Sequence, residues 1–176
     1  TDAPDVPASL TIVNSAPEVI PRKPLEYWMA GKRLFFAHVL PMPAIAKGLA
    51  RLLFPKPDQE HHRQTFIDRW CANDRKSYLA SLRAIVGWGV SNRLDRINCP
   101  VLVVSADRDY TPVEHKREYV SHLGDARLEV IADSRHATPV DQPDTFNQLL
   151  LGFLAEVDSG PAAAITDPAQ AGLTSP

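Results

Sequence analysis

The run Pro100-Val-Leu-Val-Val-Ser105 constrains this chain more than any other stretch. It is apolar throughout and has no polar side to turn to water, so it reads as a strand buried on both faces, as in a parallel sheet. Beyond Ser105 the chain alternates in kind. Pro112 to about Leu123 suits a helix stopped by Gly124, and Arg127–Ala132 (RLEVIA) reads as a second strand. Pro143–Val157 then reads as an amphipathic closing helix with Phe146, Leu149, Leu150 and Phe153 inward. Strand, helix, strand, helix in that order argues for an α/β fold on a parallel sheet.

Upstream the pattern differs. Ser9–Asn14 (SLTIVN) is a short β-branched run that reads as a buried strand, and the prolines at 17, 21 and 24 exclude regular structure after it. From Leu25 to about Val90 the periodicity is helical, broken by prolines at 41–43 and 55–57, which predicts three or four helices forming a layer of their own. Ile45, Leu49, Leu52 and Leu53 share one face, and so do Phe66, Ile67, Trp70 and Cys71. Tyr78, Leu82, Ile85 and Val86 make a third set, behind Asn73 and Asp74 as N-caps. From Asp158 onward Ala, Gly, Pro, Ser and Thr dominate, and that tail is expected to be disordered. The chain thus divides into 1–20, 21–92, 93–157 and 158–176.

Composition removes several functions. The net charge of −2 offers no footprint for nucleic acid or an anionic membrane. No apolar run approaches the roughly 20 residues that span a bilayer, and residues 1–9, with Asp2, Pro4, Asp5 and Pro7, do not read as a secretory signal. Cys71 and Cys99 form neither a CxxC pair nor a disulfide framework, which points to buried or half-buried filler and to the cytoplasm. His61-His62 is expected to be a solvated helix start, because adjacent histidines on a helix point apart and no carboxylate completes a metal-ligand set. No cofactor or metal is expected.

Two loops carry the chemistry, each just past the carboxyl end of a predicted strand, where open α/β sheets keep working residues. One is Ala106-Asp-Arg-Asp-Tyr-Thr-Pro112; the other is Asp133-Ser-Arg-His136-Ala-Thr-Pro139. Taken singly, Asp107 or Asp109 could cap the next helix, and His136 could be an exposed loop residue. Taken together they suggest a carboxylate that accepts from one ring nitrogen and leaves the other free as a general base. His38, His61, His62, His115 and His122 end no predicted strand, so His136 has no rival.

These residues carry a resemblance. CPVLVVSADRDYTPVEHKREYV, followed by ARLEVIADSRHATPVDQPDTFNQLLLGFL, resembles the C-terminal portion of the α/β-hydrolase superfamily, closely over about 97–156. SLTIVNSAPE is similar to the strand that precedes the cap in capped members, and 25–90 occupies the cap position. The resemblance implies a partial α/β-hydrolase fold: C-terminal strands of a mostly parallel sheet with a helical cap insertion, the N-terminal half being absent. It implies Asp109 as the triad acid and His136 as the triad histidine, since chain order in the family is Ser, acid, His. Ala106 stands where the family has glycine, and Pro112 arrives one residue early, so Asp107 remains a rival to Asp109.

The family's GxSxG nucleophile elbow does not occur in this sequence; none of Ser9, Ser15, Ser77, Ser81, Ser91, Ser105, Ser121, Ser134, Ser159 or Ser175 is framed by glycines in that way. With Thr1 in place of Met, the chain is expected to be trimmed or part of something longer. The implied activity is that of a cap-bearing serine hydrolase acting on a small-molecule ester or lactone. Carbon–carbon hydrolases, aminopeptidases and dehalogenases share the same C-terminal pattern. Trp28, Phe35, Phe36, Trp70 and Trp88 are expected to be mostly core, with one or two facing substrate. The other reading is a non-catalytic hydrolase-like binding module, or an inactive fragment.

Overall fold

The computed structural model describes residues 6–160. Among them the strands are β1 (Leu10–Val13), β2 (Val101–Ala106) and β3 (Ala126–Ile131), parallel and in the order β1-β2-β3. The helices are α1 (Pro24–Val39), α2 (Met42–Leu53), α3 (Glu60–Cys71), α4 (Arg75–Ile85), α5 (Val113–Val120), α6 (Thr138–Asp141) and α7 (Pro143–Ser159). Short 3-10 turns at Pro57–Gln59 and Ser91–Arg96 join them.

The apolar run does what its composition demands. All of β2 is buried, with β1 on one side and β3 on the other. Successive side chains of a strand point to opposite faces. Val101 and Val103 therefore pack with Leu94, Tyr119 and Leu123 under α5, while Leu102 and Val104 pack with Ile131 and Phe153 under α7. β1 departs from expectation: its four residues are only half-buried, because β2 is its one strand neighbour among the described residues.

The helical stretch resolves into α1 to α4; two of the three breaks fall at the expected prolines and the third at residues 72–74. Asp74 caps α4 by accepting from Ser77 N at 2.8 Å. Two arginines satisfy carbonyls that helix ends leave open. Arg75 reaches Ala37 O (3.0 Å), Leu40 O (2.8 Å) and His38 O after α1, and Arg63 reaches Phe54 O (2.6 Å) and Lys56 O (2.7 Å) after α2. The stretch also meets the sheet end. Lys56 Nζ pairs with Asp133 Oδ2 at 2.8 Å, Gln59 donates to Asp141, and Glu18 bridges Gly89. A Cβ on Gly89 would fall 2.9 Å from Ile20 Cδ1 and 3.0 Å from Glu18 Cβ, so a larger residue would strain that bridge.

Four expectations need correction. Trp28 and Phe35 are about 60% and 61% exposed, with Phe36 and Trp88 also exposed, so these aromatics are not core; α1 packs on α4 and buries only Ala37. α3 has no buried residue, and Phe66 and Trp70 instead stack on each other at 5.0 Å. Cys71 is exposed, and only Cys99 is buried. The helix after Pro112 stops at Val120, as Ser121 N–H and His122 N–H turn back to Arg117 O and Tyr119 O. The tail beyond Gly160 lies outside the described residues.

The chain end of β1 is held by one side chain. Asn14 is 2% exposed and sits at φ 46°, a left-handed conformation that asparagine tolerates better than most residues. Its Oδ1 accepts from Ala106 N (2.7 Å), and its Nδ2 donates to His136 O (2.9 Å) and Thr138 Oγ1 (2.6 Å). One residue thus ties the ends of β1 and β2 to the loop after β3. Asn14→Ala is expected to cost about 1–3 kcal/mol, the penalty for leaving the buried Ala106 N–H unpaired. Asn14→Gly should recover the backbone conformation without those bonds and stay destabilised. Denaturant unfolding of the three proteins checks this; a wild-type midpoint for Asn14→Ala contradicts it.

Candidate active site

Because β2 and β3 run parallel and in register, with Ala106 opposite Ile131, the loops that extend them leave the sheet at the same rim. The ladder continues into the loops through Asp107 N to Ile131 O (3.0 Å) and Arg108 N to Ser134 O (3.1 Å). Asp109 and His136 are thereby brought together: His136 Nδ1 lies 2.9 Å from Asp109 Oδ1. Asp107 is exposed and turned elsewhere, its Oδ1 accepting from Ser134 N at 3.0 Å. The geometry therefore pairs His136 with Asp109 and gives Asp107 the work of joining the two loops.

The Asp109 side chain is fully buried, whereas that of His136 is 34% exposed. Oδ1 also accepts from Tyr110 N at 2.8 Å, while Oδ2 takes Lys116 Nζ at 2.8 Å and the Thr111 hydroxyl. Burial pushes this carboxyl up, but hydrogen bonds from His136, Lys116 and Thr111, with the charge of Lys116, outweigh it and bring the pKa down to about 2. An ionised carboxylate can only accept, so the proton between the pair belongs to His136 Nδ1. That tautomer leaves Nε2 as an acceptor, and the Tyr110 hydroxyl lies 2.6 Å from it. The two rings lie 4.2 Å apart, and burial, then the charge of Asp109, raises the Tyr110 phenol pKa.

The histidine loop is pinned from three sides. Asn14 holds His136 O, Thr138 Oγ1 donates to Arg135 O at 2.8 Å, and Asp141 Oδ2 accepts from Arg135 N at 3.2 Å. Asp133, at φ 54°, sits between Lys56 and Arg108 at 2.8 Å each. Sequence reasoning named Asp109 and His136 but missed Tyr110, Lys116 and Asn14. Lys116 did leave a signal. It shares the buried face of α5 with Tyr119, where a charge demands a buried partner. Among the described residues no group of three or more His, Cys, Asp or Glu is placed to hold a metal ion, and no helix is long and apolar enough to cross a membrane.

The ionised Asp109 is worth stability only while it stays ionised. Its folded-state value of about 2 lies below the ordinary 3.8, so its contribution is complete above roughly pH 4 and lost as the pH falls through 2. Asp109→Asn leaves Lys116 buried without a counter-charge and is expected to cost about 3–5 kcal/mol near neutral pH. The gap to wild type should close toward pH 2. Unfolding curves across that range check it, and a gap that stays constant with pH refutes it.

Similarity to known proteins runs along the same elements. No family profile matches the chain. The 2-hydroxy-6-oxo-6-phenylhexa-2,4-dienoate hydrolase of Comamonas testosteroni is 30% identical over 143 residues, which are 68% of this chain and 50% of that protein. The enol-lactonase of Burkholderia xenovorans superposes with a TM-score of 0.72 at 22% identity, over 84% of this chain and 56% of its own. An esterase of Exiguobacterium antarcticum does so with a TM-score of 0.76 at 19% identity, over 85% and 57%. The chain spans about half the length of the Comamonas hydrolase. The parallel strands, the helices that cover them and these superpositions agree: the chain has a partial α/β-hydrolase fold.

Proposed function

We propose that this chain carries the acid and the base of a serine-type hydrolase that transfers an acyl group from a small ester or lactone to water. The observation that carries this reading is the Asp109–His136 contact of 2.9 Å, with the opposite ring nitrogen directed at a hydroxyl. In the reaction, His136 Nε2 takes the proton of a serine hydroxyl as it attacks the substrate carbonyl, returns it to the leaving group, and then activates water. Asp109 holds the Nδ1 tautomer and stabilises the imidazolium. Since no serine of the chain is framed as GxSxG, the nucleophile and the oxyanion hole are assigned to residues outside these 176.

In this reading 1–20 contributes a core strand and 93–157 the acid and histidine loops. The helices of 21–92 form a cap over the substrate, with Trp28, Phe35 and Phe36 of α1 presenting apolar surface. The named relatives act on a dienoate, an enol-lactone and esters, which fits acyl chemistry on small molecules. Free thiols at Cys71 and Cys99 fit a cytoplasmic protein without disulfides. A second reading has one observation in its favour: Tyr110 already occupies His136 Nε2, as it would in a non-catalytic module whose base is never called upon.

Activity separates them. In the longest reading frame that contains this chain, hydrolysis of a p-nitrophenyl ester is expected, with the 176 residues alone inactive. Asp109→Asn should lower kcat by about four orders of magnitude, the loss a serine-protease triad suffers at that position, and His136→Ala should be at least as damaging. Near-normal turnover in both variants removes the pair from catalysis, and no labelling of any serine by a fluorophosphonate favours the binding module.

A further inference from the structure

The proposed reaction needs a carboxylate and an imidazole. It has no use for a lysine, yet one is buried behind the carboxylate. Lys116 is 1% exposed on the inner face of α5, and an ammonium ion there is costly unless every proton finds an acceptor. All its donors are met: Asp109 Oδ2 at 2.8 Å, Thr111 O at 2.8 Å and Thr111 Oγ1 at 2.7 Å. The two carboxylate oxygens are thereby divided. Oδ1 serves His136 and Tyr110 N, and Oδ2 serves Lys116 and Thr111.

That division has an electrostatic consequence. A lone buried carboxylate beside a ring stabilises the imidazolium strongly, because protonation turns a net charge of −1 into zero. With Lys116 attached, the Asp109–Lys116 pair is already neutral, and the ring proton makes the cluster +1. The neighbouring charges are otherwise committed. Asp107 faces Ser134 N, Asp133 is held by Lys56 and Arg108, Asp141 accepts from Gln59 and Arg135 N, and Arg33 of α1 acts on Tyr110.

We propose that Lys116 is a positioning residue for the proposed hydrolase site: it locks the Asp109 carboxylate onto His136 and holds the proton affinity of the ring down, so that Nε2 stays an acceptor. This rests on the reading of His136 as the base, but its test does not need turnover.

The test tracks the His136 ring signals by NMR against pH in the 176-residue chain. In Lys116→Met the His136 midpoint is expected to rise by about one pH unit, a tenfold gain in proton affinity, and in Lys116→Arg, which keeps the charge, to stay near wild type. An unchanged midpoint in folded Lys116→Met overturns the proposal. Should that variant not fold, wild type alone decides. Lys116 Cε and Nζ signals should show an inflection at the His136 midpoint, and its absence is equally fatal. Where a longer reading frame that contains this chain hydrolyses ester, the acid limb of its kcat/KM should move with the midpoint. If the midpoint moves and no hydrolysis exists to accompany it, the hydrolase reading fails while the role of Lys116 stands.

Discussion

A carboxylate with no exposed surface sits just beyond the end of β2, and the rim of the sheet is arranged around keeping it charged. An isolated anion there would be driven to its neutral form. Asp109 escapes this through Lys116, Thr111, His136 and the backbone N–H of Tyr110. Lys116 and His136 each sit on an element fixed by something else. Lys116 belongs to the helix that covers one face of β2, and His136 to a loop tied down by Asn14 and Asp141. Removing the charge would therefore leave Lys116 buried without a counter-charge and His136 Nδ1 without its charged acceptor, which is why stability and proposed chemistry are coupled at this one residue.

Much of this was legible in the chain because the strands are so strongly written. PVLVVS can hardly be anything except a doubly buried strand, and two strands joined through one helix are expected to run parallel. Parallel pairing puts both carboxyl ends at one rim, so Asp109 and His136 were expected to meet before any coordinate placed them. The family resemblance favours Asp109 over Asp107, but the loop residues alone do not decide between them, because the choice turns on which side chain points under the loop and which points out. Asn14 was not legible, since its role depends on partners 92 to 124 residues away. Lys116 was readable in principle, as a cation on an apolar stripe.

The aromatic residues of α1 show where composition misleads. Trp28, Phe35 and Phe36 look like core by residue type, but burial needs a surface to pack against, and the main packing partner of this helix is α4. Lys32 Nζ lies 4.9 Å from the Trp28 ring centroid and 5.9 Å from that of Phe36, so a cation sits at the faces of two of these exposed rings. The helices are anchored to the rim through Lys56–Asp133 and Gln59–Asp141, and both contacts land on the loop and turn that carry His136. The helical layer and the histidine loop are thus joined directly by two polar contacts.

The exposed flank of β1 and the Tyr110 hydroxyl at Nε2 belong to one physical situation. A half-buried edge strand offers unpaired backbone groups, and β1 pairs on one side only among the described residues. A histidine whose Nδ1 proton is fixed by Asp109 likewise presents an acceptor that a hydroxyl will fill. Here that hydroxyl comes from the acid's own loop, from the residue between Asp109 and the Thr111 that braces the other carboxylate oxygen. A nucleophile arriving at this rim would have to compete with Tyr110 for Nε2, and the contest favours whichever hydroxyl the surrounding backbone holds more rigidly. Tyr110 enters that contest from the loop tip, with more than half its surface exposed.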